Sequence, residues 1–306
     1  MKKIILFISV LFFFPVHQVN SQGCSDAGFC TMGNLKPQSE ADTSFNHSAS
    51  VSFSYGIGEQ KTTIYQIISE IEFSFLKNNS IQIKAPYVFV NGNLGSNTGA
   101  GDISLSITQT IKYSDTTQLS FTGGIKLPTG SEDTGKDFGF PLPMPYQSTL
   151  GTTDLILGAS FKHNSWNIAV GLQAILSDEN KNQFLRSRFA VPEAQKYFES
   201  NQLRRGNDAL LRIEKSFSLK KLTLSAGLLN IIHLNAASIV DSAGNRVTVN
   251  GSDGLTVNVT GNAQYEISNR TLINFSFGFP TIVRDARPDG LTRKLVLIAG
   301  LRFGFR

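Results

Sequence analysis

Leu295-Val296-Leu297-Ile298-Ala299-Gly300-Leu301-Arg302-Phe303-Gly304-Phe305-Arg306 alternates from end to end. Successive side chains of an extended strand point to opposite faces. Leu295, Leu297, Ala299, Leu301, Phe303 and Phe305 therefore share one face, which is apolar throughout and ends in two aromatics. Val296, Ile298, Gly300, Arg302, Gly304 and Arg306 share the other, which carries glycine and arginine. The two sides of this strand are built for different surroundings.

Eleven further stretches repeat the pattern, at about 48–57, 63–76, 80–90, 102–113, 117–127, 154–162, 166–176, 208–217, 221–233, 255–267 and 271–279. In the second, Tyr65, Ile67, Ile71, Phe73 and Phe75 oppose Gln66, Glu70 and Glu72. In the fourth, Gln109 interrupts an otherwise apolar face. Five connections are tight, around Asn78, Asp115, Asn164, Leu219 and Asn269. They alternate with longer links at about 91–101, 128–153, 177–207, 234–254 and 280–292, and only the link at 58–61 breaks this rule by being short. A strand in lipid is apolar outward and polar inward, with short turns on one side and long loops on the other. Its backbone groups must all be paired, so the sheet must close. The pattern predicts an all-β transmembrane antiparallel up-and-down barrel of about 12 strands over residues 47–306. A soluble sandwich also alternates with period two, but it would put its Phe face inward and keep most loops short.

The N-terminus fits that location. Lys2 and Lys3 precede an apolar run from Ile4 to Val16, and Val19 and Ser21 supply small residues before Gln22. This predicts a signal peptide over 1–21 and a place in the bacterial outer membrane. The net charge of +5 includes Lys2 and Lys3, and no dense basic run points to nucleic acid. Residues 22–46 lack a period and read as a segment outside the wall, either periplasmic or folded into the lumen as a plug. Within it, Cys24 and Cys30 are the only two cysteines. An oxidising envelope favours a disulfide between them, and two thiols without nearby histidines are too few for a structural zinc.

Three stretches carry a family resemblance: Gly99-Ala100-Gly101-Asp102-Ile103-Ser104-Leu105, Gly124-Ile125-Lys126-Leu127-Pro128-Thr129-Gly130 and Gly151-Thr152-Thr153-Asp154-Leu155-Ile156-Leu157-Gly158. They resemble outer-membrane proteins named for the meta-pathway of phenol degradation, loosely akin to fatty-acid and aromatic-hydrocarbon channels. The resemblance implies a barrel with a role in uptake of hydrophobic compounds, and names no ligand.

The chemistry-bearing residues divide into three groups. Glu70, Glu72, Lys84, Asp102, Lys126, Asp154, Arg212, Glu214 and Arg302 fall on inward faces as lumen-lining candidates. Unpaired buried charge is costly, so they either line water or pair with one another; Asp102 and Asp154 suit either a ligand or an inward Lys or Arg. Phe138, Phe140, Leu142, Met144 and Tyr146, in a proline-stiffened outer loop, are candidates for a hydrophobic gate or simply pack on neighbouring loops. A short helix from Pro192 to Ser200 is flanked by Arg186, Arg188, Arg204 and Arg205, which either meet lipopolysaccharide phosphates or are solvated. His47, His163 and His233 have no metal-ligand spacing, and neither a nucleophile elbow nor a Ser/His pairing is present. No enzyme, metal or cofactor is expected. The expected partners are outer-membrane lipid and lipopolysaccharide, the barrel-insertion machinery and a small-molecule solute, with the chain as a monomer. The functional reading is a channel or transporter for small, mainly hydrophobic, molecules; the alternative is a non-transporting protein whose outer loops bind a partner or surface.

Overall fold

The computed structural model describes residues 29–37, 47–76, 78–135, 139–178, 180–291 and 293–305. The expected signal peptide and Cys24 lie outside these residues. The strands are β1 (His47–Ile57), β2 (Thr63–Leu76), β3 (Asn79–Gly92), β4 (Gly95–Ala100), β5 (Ile103–Lys112), β6 (Thr117–Leu127), β7 (Thr152–His163) and β8 (Trp166–Asp178). They continue with β9 (Asp208–Leu219), β10 (Leu222–His233), β11 (Ser238–Val240), β12 (Arg246–Thr248), β13 (Gly254–Ser268), β14 (Thr271–Ile282) and β15 (Leu295–Phe305).

All neighbours in the wall are antiparallel, and the ring is closed: β2 pairs with both β1 and β3, and β15 pairs with both β14 and β1. β4 and β5 both lie along β3 and act as one stave, while β11 and β12 form a separate hairpin in an outer loop. The described wall therefore has 12 staves. The stretch 91–101, expected as a link, instead continues β3 and turns back as β4. β4 is Gly95-Ser96-Asn97-Thr98-Gly99-Ala100, with no large apolar residue to mark one face, and its Asn97 amide donates to the Tyr146 carbonyl at 2.9 Å. Where β4 gives way to β5 the register slips by one residue, from Lys84↔Ser104 to Tyr87↔Ala100. Gly101 sits at the slip with its N–H donated to the Pro86 carbonyl at 2.8 Å, and a Cβ there would meet the proline ring. The helix expected from Pro192 is a single short 3₁₀ segment, Pro192–Lys196.

The outward faces form the lipid belt. Phe53, Ile107, Phe161, Phe275 and Phe303 remain about half exposed in the isolated chain, whereas inward Ser54, Ser106, Ser160 and Thr122 are buried. Gln109 points outward but pairs with Asn79 beside the turn at the lower end of β3, where the wall leaves lipid and an amide is tolerated. Asn78 and Asn164 take positive φ of 71° and 52° in two of the tight turns, a conformation asparagine accepts readily.

The tight turns and both ends of the wall lie on one side, which is the periplasmic side of such a barrel. A short tag inserted at Gly244, in the exposed β11–β12 hairpin, should be labelled on intact cells. A tag at Asn164 should be labelled only after the outer membrane is permeabilised. Labelling of the second site on intact cells would reverse the assigned orientation.

Candidate functional site

The inside of the barrel is occupied at mid-height by residues 29–37, which form two short 3₁₀ turns, Phe29–Thr31 and Gly33–Leu35. Cys30, Met32 and Leu35 are buried against inward Ile156, Ala169, Leu210, Leu229 and Ile231. Those wall residues break the polar-inward rule because the segment keeps water off them. The wall is shaped to match. Gly124 and Gly158 occupy inward positions, and a Cβ on them would meet Met32 at 2.6 Å and Leu35 at 2.8 Å. Cys30 is disulfide-bonded.

Polar contacts fix the segment on every side. The Gly33 N–H donates to Gln82 Oε1 at 2.6 Å, the Asn34 side-chain amide donates to the Ser120 carbonyl at 2.6 Å, and Arg212 Nη2 donates to the Cys30 carbonyl at 2.9 Å. Lys84 donates to the Thr31 hydroxyl. Lys36 Nζ lies 2.8 Å from Glu72 and 3.5 Å from Glu70, and Arg302 lies 3.4 Å from each.

The lumen-lining candidates thus fall into three settings. Glu70, Glu72 and Arg302 form a partly accessible network with Lys36, and buried Lys84 lies opposite Glu70 at its edge. Arg212 and Glu214, 3.1 Å apart, are almost fully buried, and Arg212 meets the N-terminal segment at the Cys30 carbonyl. Lys126, 1% exposed, sits between Asp102 at 2.9 Å and Asp154 at 2.8 Å, and Gln173 donates to Asp154 as well. Within this buried triad the Oδ2 atom of each aspartate is engaged by Lys126, and the two Oδ1 atoms make no hydrogen bond among the described residues.

The outer loops fold into the mouth and pack. Phe138 lies outside the described residues. Leu142 and Tyr146 are fully buried with Ile64, Val88, Val90, Leu94, Phe184, Phe189 and Tyr197, and Phe140 packs partly buried against them. Met144 joins Leu150, Leu203, Ala237, Ile239 and Leu291. The Tyr146 hydroxyl accepts from Leu94 N at 3.0 Å and lies 3.1 Å from the Tyr197 hydroxyl, which is 3.2 Å from that of Thr62. Burial pushes the Tyr197 phenol above its ordinary pKa. Arg188 lies 5.0 Å over the Phe140 ring, and Arg186 donates to the Tyr197 carbonyl.

Arg205 is not at the surface. It is buried 2.7 Å from Asp208 and 3.6 Å from Asp289, and Arg284 also binds Asp289. Burial alone would raise the Asp289 pKa, but these guanidiniums hold it well below the usual carboxylate range. Sequence reasoning missed this cluster, because its members come from links 200 to 290 residues into the chain with no shared motif.

Several cavities remain: one of about 190 Å³ lies beside Gly33, Asn34, Lys36, Glu72 and Arg302, and two others lie below and above Lys84. The lower one is about 620 Å³ and reaches the periplasmic turn at Ser114, Asp115 and Thr116. The upper one, between β2, β3 and the loops at 144–150 and 289–293, is about 40 Å³, room for only a few waters. Burial lowers the Arg293 pKa at its edge to about 9, so this guanidinium stays charged at neutral pH.

The chain folds as a bacterial outer-membrane β-barrel. Among solved structures it is similar to an outer membrane channel from Pseudomonas putida F1, at 13% identity and a TM-score of 0.59, covering 88% of this chain and 99% of that one. It is also similar to the NanC porin, at 8% identity and a TM-score of 0.51, covering 84% and 100%. No family model matches the chain, and no curated protein matches it by sequence. At these identities the likeness is one of fold.

Replacing Lys126 by Met should destabilise the barrel by about 3–5 kcal/mol, because two buried carboxylates lose their shared cation. The additional change of both Asp102 and Asp154 to Asn should recover much of the loss. Denaturant unfolding followed by heat-modifiable gel mobility would measure both. A Lys126→Met barrel as stable as the parent would show that the triad contributes nothing.

Proposed function

We propose that this chain is a passive outer-membrane channel for small, mainly hydrophobic, solutes, held closed in the conformation described. The observation that carries the reading is the lower cavity: a water-sized path of about 620 Å³ inside a closed wall, open toward the periplasm and narrowing upward to the loops. A 12-stave wall is wider than the eight-strand barrels that side chains alone can fill. The similarity to channel and porin barrels is consistent with this reading and cannot name the solute.

Two elements restrict the path. Residues 29–37 fill the middle of the lumen, and the loop from Gly139 to Leu150 fills the mouth. The inward strip Ile64, Ile68, Pro86, Val88 and Val90, apolar except for Gln66 within it, runs from the mouth toward the centre and offers a surface that a hydrocarbon body can follow. No enzyme activity is proposed. His233 is held 2.5 Å from Asp208, and His163 is 2.9 Å from the Thr117 hydroxyl at the rim.

Deleting residues 22–46 should raise single-channel conductance in planar bilayers several-fold, since the wall is complete from His47 onward. Paired Met32→Ala and Leu35→Ala changes should raise it less. Replacing the loop residues is a poorer test, because Leu142, Met144 and Tyr146 are buried and polar substitutes would also cost stability. Conductance unchanged by the deletion in a folded barrel would remove the plug from the account. If the barrel then passed no current at all, binding of a partner by the outer loops would become the better reading.

A further inference from the structure

The inner surface of β2 and β3 changes character along its length. From the mouth downward it presents the pairs Ile64 and Val90, Gln66 and Val88, Ile68 and Pro86, and then Glu70 and Lys84, so it is apolar except for the Gln66 amide until the last pair, whose charges face one another across the two strands. Lys84 and Ile68 are the two residues that border both the upper and the lower cavity. Any solute moving between the cavities passes them.

We propose that the solute is a small organic anion with an apolar body, and that Lys84 is the cation that selects it. This rests on the channel reading above and names the chemical class of its solute. The apolar strip carries the hydrocarbon part, and the ammonium at its lower end receives the carboxylate. A charged side chain at a constriction is the ordinary device of ion selectivity.

The balance of charge below the strip is positive. Glu70 and Glu72 are shared among Lys36, Lys84 and Arg302, so two carboxylates face three cations. Farther down, Lys112 and Lys162 face the lower cavity at the periplasmic rim, with Gln118 between them in the sheet register and Asp115 as the acid of that turn. Beside and above the strip, Lys126 is matched by Asp102 and Asp154, and Asp289 by Arg284 and Arg205, while Arg293 at the edge of the upper cavity adds a further positive charge. A low-dielectric wall focuses the remaining positive field along the path. The Lys84 ammonium also holds the Thr31 hydroxyl, so an arriving carboxylate competes with the N-terminal segment for the same donor.

The purified full-length chain in planar bilayers under a potassium chloride gradient tests this. The reversal potential should show chloride passing several-fold better than potassium. Lys84→Gln should bring the ratio toward unity, and Lys84→Arg should keep it. Lys112→Gln combined with Lys162→Gln, at the exposed rim where folding is not at stake, should lower it less. The selectivity should weaken at high salt, where screening is complete within a few ångströms. Sodium benzoate should reduce the chloride current at a several-fold lower concentration than sodium acetate, and Lys84→Gln should weaken this block. A folded channel that prefers potassium, or whose selectivity and benzoate block do not change in Lys84→Gln, would overturn the proposal while leaving the channel reading in place. A folded barrel that passes no current with or without residues 22–46 would remove both.

Discussion

The hydrocarbon core of a bilayer offers no partner to a backbone N–H or C=O, and each unpaired group costs several kcal/mol there. Every other feature of this barrel follows from that constraint. The wall must close, so β15 pairs along its length with β1 and also with β14, and β2 joins β1 to β3. Closure uses the backbone alone. The outward side chains need only be apolar, and the inward ones are released from any duty to the wall itself.

That freedom is spent on the interior. Gly124 and Gly158 leave space where Met32 and Leu35 sit, and inward Ile156, Leu210 and Ile231 receive them. The charges are handled by neighbours rather than by water: Lys126 by two aspartates, Arg212 by Glu214 and a carbonyl of the N-terminal segment. Buried ion pairs of this kind add little net stability compared with apolar packing, but they penalise any arrangement that separates them. Arg212 fixes where the segment sits, whereas the Lys126 triad ties β6 to β7 and to the start of β5.

The same division explains why the similar channel and porin share so little sequence with this chain. Alternation, turn chemistry and closure are met by many sequences, so the barrel persists at 8–13% identity. The selectivity proposed for this chain depends on a handful of inward residues, such as Lys84 and Ile68 between the cavities, and inward residues are free to differ from one barrel to the next.

Period-two alternation and turn residues were enough, in the amino-acid sequence alone, to locate the staves, the tight turns and the faces that meet lipid. Phe303 and Arg302 could be assigned to opposite sides of the wall without coordinates, because side-chain direction in a strand is a local property of the backbone. The stretch 95–100 escaped, since its small and polar residues give no apolar face to alternate with a polar one. Only the tertiary structure decided what the inward side chains meet. It brought Asp102 and Asp154 to Lys126, buried Arg205 against Asp289, and put Leu142 and Tyr146 inside the mouth. It also placed residues 29–37 in the lumen, between the two alternatives the sequence left open. The bond from Arg212 to the Cys30 carbonyl joins residues 182 positions apart, and that from Arg302 to Glu70 joins residues 232 apart. They are set by ring closure and by the folding-in of the loops, neither of which leaves a periodic trace in the sequence.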